Sequence, residues 1–138
     1  MRTPIALALA FALLLPLGAC ASGPPAGAEV EPGVFFLGER KVDLSVDRDV
    51  IGVGRVKGRF RALRVSVAES PMEMYDIRVT FGNGEVWSPP TRLLFSKKSW
   101  TRRIDLPGDA RVVRKVAFVY RSRRAASGRA LVTLYGLR

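Results

Sequence analysis

An all-β fold, an antiparallel β-sandwich of jelly-roll-like type with about eight or nine short strands, is predicted by three features of the sequence. Apolar and polar residues alternate with a period of two through most of the chain after residue 33, the pattern of strands that turn one face to a core. Gly, Pro and Asn punctuate that pattern about every ten residues, a spacing that suits short strands joined by tight turns. The chain has 138 residues and no internal repeat, which fits one domain at the usual ~100–200 residues each. Hydrophobic content of 48% with 25% charged residues is that of an ordinary folded protein, so disorder is expected only near the termini.

Residues 1–19 read as an export leader. Arg2 supplies the positive start and Ile5 to Leu17 the apolar run, with small residues after it. That run is too short to span a bilayer, which takes around 20 apolar residues in a helix, and Pro16 opposes a continuous helix. Leu17-Gly18-Ala19-Cys20 resembles the lipobox of bacterial lipoproteins. The resemblance implies thioether attachment of a diacylglyceryl group to Cys20, cleavage before it, and acylation of the freed amine. The competing reading is a chance cysteine near an ordinary cleavage site. It is disfavoured because Cys20 is the single cysteine of the sequence and stands at the lipobox position. Several acyl chains anchor firmly, since each buried CH₂ contributes about 0.8 kcal/mol and one chain alone holds marginally. Ala21, where Asp would signal retention, implies by the same resemblance an outer-membrane destination facing the periplasm.

Residues 20–33 are rich in Pro, Gly and Ala and read as a flexible tether, leaving 34–138 as the β domain. Val42, Leu44 and Val46 share one face of a first strand. Leu63, Val65 and Val67 share one face of another, with Arg64 and Ser66 opposite. Tyr75, Ile77, Val79 and Phe81 alternate with Asp76, Arg78 and Thr80. Gly82-Asn83-Gly84 then predicts a hairpin into Glu85-Val86-Trp87, because these residues accept positive φ. Pro89-Pro90 interrupts, Leu93 to Phe95 forms a short edge segment, and Trp100 to Leu106 resumes the alternation. Asp109 to Val113 is compatible with a helical turn, but Val116, Phe118 and Tyr120 favour a strand there. Ala130 to Tyr135 forms the last strand. Gly52-Val53-Gly54 lacks the following helix that a phosphate loop requires and reads as a bend or bulge.

Asp47-Arg-Asp-Val-Ile51, Gly58-Arg-Phe60, Val79-Thr-Phe-Gly-Asn-Gly84, Ile104-Asp-Leu-Pro-Gly108 and Tyr120-Arg-Ser122 resemble an uncharacterised family of exported bacterial β-domain proteins. They span residues from about Leu37 to Gly136. The resemblance implies an autonomous β domain behind an export signal and supplies no activity.

Charge is the unusual feature of the composition. Lys and Arg number 23 against 12 acids, a net charge of +11 of which Arg2 in the leader is one. Such a field attracts polyanions in a salt-dependent way. Lys97, Lys98, Arg102 and Arg103 surround Trp100, and Arg121, Arg123 and Arg124 form a second run. With Trp87, these are the candidate ligand-binding residues: Arg offers a bidentate fork to phosphate or carboxylate, and an exposed indole can stack on a sugar. The plainer readings are a solvated basic strand face and tryptophans that pack in the core. Export makes nucleic acid an unavailable partner, although the basic composition alone would suggest it.

The sequence contains no His, which excludes Ser-His-Asp and Cys-His centres and His-containing zinc sites. Glu69, Glu73, Asp76 and Glu85 are the supply for a paired-carboxylate glycosidase, which needs two acids about 5–10 Å apart. Asp43, Asp47 and Asp49 offer hard oxygen ligands, but Arg48 and Gly54 stand where an EF-hand loop has Gly and Glu. The expectation is therefore a non-enzymatic envelope protein, with no catalytic residue, metal or cofactor. Its partners would be the membrane through the lipid, and an anionic glycan, a lipid headgroup or an envelope protein met along an edge strand.

Overall fold

The computed structural model describes residues 23–43, 48–54, 58–90, 93–95, 100–122 and 129–138. Among the described residues there are eleven strands and no helix: β1 (Glu29–Glu31), β2 (Val34–Asp43), β3 (Arg48–Gly52), β4 (Arg59–Phe60), β5 (Ala62–Ala68), β6 (Met72–Phe81), β7 (Val86–Trp87), β8 (Leu93–Phe95), β9 (Trp100–Asp105), β10 (Arg111–Ser122) and β11 (Arg129–Leu137). One sheet runs β1-β2-β11-β5-β9. In the other, β10 and β6 lie at the centre, β3 and β4 pair with the outer side of β10, and β7 and β8 pair with the outer side of β6. Every pairing is antiparallel.

The pairs are nested. β2 meets β11, β3 and β4 meet β10, β5 meets β9, and β6 meets β7 and β8. The chain is thus one long hairpin, with its tip at the turn after Phe81, wound over itself into two sheets, which is the jelly-roll arrangement. Eight positions are filled by ten strands because two positions are split. The β7–β8 break falls at Ser88-Pro89-Pro90, where proline has no N–H for the ladder. The β3–β4 break includes Gly54, whose φ of +64° suits glycine. The eleventh strand, β1, lies in the Pro/Gly/Ala stretch and pairs Glu29 with Phe35 and Glu31 with Val34. Its hairpin closes with the Gly33 amide donating to Glu29 Oε1 at 2.7 Å.

The core between the sheets is led by fully buried Tyr120, Phe60, Phe81, Phe95 and Phe118. Each such side chain contributes roughly 1.5–3 kcal/mol on leaving water. Leu63, Val65 and Val67 all face inward, as their alternation predicts, and so do Val116, Phe118 and Tyr120. Val42 is buried, while Leu44 and Val46 lie outside the described residues. The segment from Arg111 begins directly as a strand.

Tyr75 departs from expectation. Ile77, Val79 and Phe81 are buried, yet Tyr75 is 40% exposed, and Met72 and Met74 take the inward positions instead. Val119 pairs with Asp76 and Tyr120 with Met74, so Tyr75 is an extra residue in the ladder. This bulge moves the inward set from odd to even numbers. The same strand pair carries a second bulge at Arg114, since Val113 pairs with Phe81 and Lys115 with Thr80.

The edge where β2 passes to β3 is fastened by polar contacts. Arg40 Nε lies 2.9 Å from Asp49 Oδ1, and the Tyr120 hydroxyl lies 3.0 Å from both Asp49 Oδ2 and the Asp43 carbonyl. The phenol proton is shared between those acceptors, which lets a fully buried tyrosine keep its polar end satisfied.

Candidate functional site

At the end of the sandwich that holds the hairpin tip, an open groove of about 610 Å³ is lined by Gly54, Arg59, Phe81 to Asn83 and Ala110 to Arg114, with Val113 excepted. Its floor follows from register. Arg111 and Val112 pair with Phe60 and Arg59 on one side. On the other, Val113 pairs with Phe81 and the Gly82 amide donates to the Val112 carbonyl at 2.8 Å. The start of β10 therefore brings β4 and the β6–β7 turn to either side of one concavity.

Three guanidinium groups line it, and each is placed by a different device. Arg59 comes from β4 and is exposed, with no acidic partner among the described residues. Arg111 lies flat on Phe81, its guanidinium carbon 3.6 Å from the ring centroid, and its Nη2 meets Glu85 Oε2 at 2.6 Å. Stacking on one side and a charge-assisted bond at the edge hold this side chain in place. Arg114 is re-aimed by its bulge. Its carbonyl accepts from the Val53 amide at 2.8 Å, and its guanidinium reaches the Gly82 carbonyl at a long 3.5 Å. Bulges next to sites commonly turn a side chain in this way.

The turn itself is rigidly bonded. The Phe81 amide donates to the Glu85 carbonyl at 2.9 Å, the Gly84 amide to the Phe81 carbonyl at 3.0 Å, and the Glu85 amide to Asn83 Oδ1 at 3.0 Å. The hydrogen bond from Arg111, then that from Asn83, then the charge of Arg111 hold the Glu85 carboxyl below its ordinary value of 4.5. Glu85 is therefore a carboxylate at neutral pH, committed to Arg111.

Of the residues singled out by sequence, Trp87, Arg102 and Arg103 do not line this groove. Trp87 sits in β7 opposite Val79, half-buried and packed against the core. Arg102 and Arg103 are exposed on edge strand β9, and Arg103 pairs with Asp105 at 2.9 Å. The backbone of Trp100 lies opposite Val67, and that of Arg121 opposite Glu73. Arg121 is ten residues along β10 from Arg111, on the order of 30 Å away at about 3.3 Å per residue. Cys20, Lys97, Lys98, Arg123 and Arg124 lie outside the described residues.

Four of the carboxylates weighed for catalysis or metal binding, Asp49, Glu69, Asp76 and Glu85, have cationic neighbours. Asp76 meets Arg78 at 2.9 Å and Glu69 meets Lys41 at 3.9 Å, while Glu73 is buried. Asp49 is held by Arg40 and Tyr120, and Asp47 lies outside the described residues.

Sequence proximity missed the groove because its basic residues come from two separate strands. One signal was present. Val113 and Val116 are both apolar with Arg114 and Lys115 between them, a phase change in the alternation that marks a bulge.

Fold and groove define a jelly-roll β-sandwich protein with a basic depression at one end. The chain belongs to the family of a domain of unknown function, DUF2541, whose match covers residues 8–136. No curated protein matches it.

Proposed function

We propose that the protein is a lipid-anchored, non-catalytic binding module of the bacterial cell envelope, and that its groove takes an anionic group of an envelope glycan or lipid. The observation that carries this reading is the convergence of Arg59, Arg111 and Arg114 on one open concavity, where Glu85 balances only Arg111. The net charge of +11 adds a long-range field that draws anions toward it. The anchor reading is supported by the lipobox-like Leu17 to Cys20 and by a family match that starts at residue 8, inside the apolar run. Anchorage in the outer membrane, facing the periplasm, follows from Ala21. Lipopolysaccharide phosphates and peptidoglycan carboxylates are the envelope anions that fit.

The test is retention of the mature protein on purified lipopolysaccharide and on peptidoglycan over a salt series. Binding at low salt that falls as salt rises, and that drops with Arg59→Ala and Arg114→Ala, is the expected result. No retention at low salt removes the reading. Labelled palmitate should enter the wild-type chain and not Cys20→Ser; label that persists in Cys20→Ser removes the anchor.

A second reading is favoured by β9, which pairs with β5 on one side and forms the edge of its sheet. Its outward ladder groups and exposed Arg102 and Arg103 suit addition of an acidic strand from an envelope protein. Crosslinking from position 103 that captures a defined envelope protein, with no glycan retention, selects this reading instead.

A further inference from the structure

We infer that the groove is a phosphomonoester site, selective for a doubly charged terminal phosphate over a carboxylate. This deepens the envelope-binding reading and depends on it. Charge is the first argument. Arg111 is neutralised by Glu85 at 2.6 Å, whereas Arg59 and Arg114 have no acidic partner among the described residues. The groove therefore presents two positive charges in excess. A phosphomonoester carries about −1.5 to −2 near neutral pH and a carboxylate carries −1, so the phosphate is the better match.

Hydrogen-bond polarity is the second argument. Asn83 uses both ends of its amide within the turn: its oxygen accepts from the Glu85 amide at 3.0 Å and its NH₂ donates to the Glu85 carboxylate, so it adds no acceptor to the groove. The Gly82 carbonyl faces Arg114, and Glu85 faces Arg111. The side chains that line the groove thus offer donors, the three guanidinium groups. A sugar hydroxyl needs acceptors as well as donors. A phosphate has three terminal oxygens that accept only, and Arg forks address them two at a time. Arg111, fixed between Phe81 and Glu85, supplies a preset edge, while Arg59 and Arg114 close from β4 and from the bulge.

The charged groups facing such a phosphate are Arg59 on β4, Arg111 and Arg114 on β10, and Glu85 after the turn. Glu85, held below its ordinary value first by the hydrogen bond from Arg111, stays ionised through the neutral range. Any change in affinity between pH 5 and 7 then reports the second ionisation of the ligand, at about 6.

Calorimetric titration of the full-length mature protein with glucose 1-phosphate and with glucuronate compares phosphate and carboxylate on similar rings. Glucose 1-phosphate is expected to bind at least about tenfold more tightly, to gain about tenfold from pH 5 to pH 7, and to lose about tenfold with either Arg59→Ala or Arg114→Ala. Both residues are exposed, so these variants keep the core. Vesicles carrying phosphatidic acid, compared with phosphatidylglycerol vesicles, test the same chemistry on a lipid. Retention of phosphatidic acid alone assigns a lipid-borne monoester, and binding of the free sugar phosphate alone assigns a soluble one; either supports the inference. Equal affinity for glucuronate, or a flat response from pH 5 to 7, overturns phosphate selectivity while arginine-dependent envelope binding survives. Failure of every anion at low salt overturns both.

Discussion

Replacing Gly136 by alanine should cost the domain about 2 kcal/mol, although alanine is normally the better strand residue. A methyl at this position would meet the Phe60 ring at 2.5 Å from Cδ1, 2.6 Å from Cε1 and 2.7 Å from Cγ. Carbon atoms in packed interiors sit about 3.5–4.0 Å apart, so ring and strand must separate by about 1 Å. Phe60 is fully buried, flanked by Phe35 at 6.1 Å between centroids and capped by Arg138, which leaves it no free direction. Overpacking of this kind costs about 1–3 kcal/mol, and complete loss of the ring's contacts sets a ceiling near 3–5 kcal/mol. Restricting the unfolded chain returns only about 0.4–1 kcal/mol. Urea unfolding followed by tryptophan fluorescence should show a midpoint lower by about 1 M at a typical slope for a domain of this size. In a Phe60→Leu background, where the shorter side chain can rotate away, the penalty of Gly136→Ala should shrink. An unchanged or higher midpoint for the single variant would refute the claim that the β11 backbone is the seat of the Phe60 ring.

Two further outcomes follow from contacts already described. The Glu85 carboxyl should titrate below 4.5 by NMR, and Arg111→Gln should move its midpoint back up. Because the folded-state value is depressed, the stabilisation from this pair is present above 4.5 and is lost as pH falls through the folded-state midpoint; an identical titration in Arg111→Gln would remove Arg111 as the cause. Tyr120→Phe should lower stability by about 1–2 kcal/mol in urea unfolding, since the lost hydroxyl serves a carboxylate and a carbonyl at the β2–β3 edge. Full wild-type stability would show that edge to be held by Arg40 and packing alone.

The fold class was legible because the alternation of Leu63 to Val67 and of Val116 to Tyr120 reports a face in contact with a core, and because Gly82-Asn83-Gly84 marks a turn, in which Gly84 has a φ of +89° that suits glycine. The two phase changes on β6 and β10 were harder to see. Tyr75 and Arg114 are extra residues only with respect to a partner strand, and the partner lies more than thirty positions away in sequence. Strand order was less legible still: β2 pairs with β11, whose register sets Asp43 against Arg129 and Val34 against Leu137. Arg102 and Arg103 drew attention because like charges stood side by side, and they are consecutive residues of strand β9. In a β-sandwich, adjacent residues point to opposite faces, so neighbours in sequence are poor guides to convergence in space. Arg59 and Arg111 are far apart along the chain, yet their strands are hydrogen-bonded neighbours.

The groove is also built in a way that separates its chemistry from the stability of the domain. Its shape depends on buried residues: Phe60 beside Arg59, Val113 beside Val112, and Phe81, whose ring carries Arg111. Its excess charge, in contrast, sits on Arg59 and Arg114, two exposed side chains whose removal leaves no buried group without a partner. Two like charges drawn into one concavity repel each other, a small cost at the surface where water screens them. On the proposed reading, an arriving dianion would remove that repulsion as it binds, so the arrangement that slightly disfavours the empty groove would favour the occupied one. A purely structural basic face would gain by placing an acid opposite each cation, as Arg103 with Asp105 and Arg78 with Asp76 do on this same molecule. On the proposed reading, an anionic ligand would supply to Arg59 and Arg114 the negative charge that Glu85 supplies to Arg111.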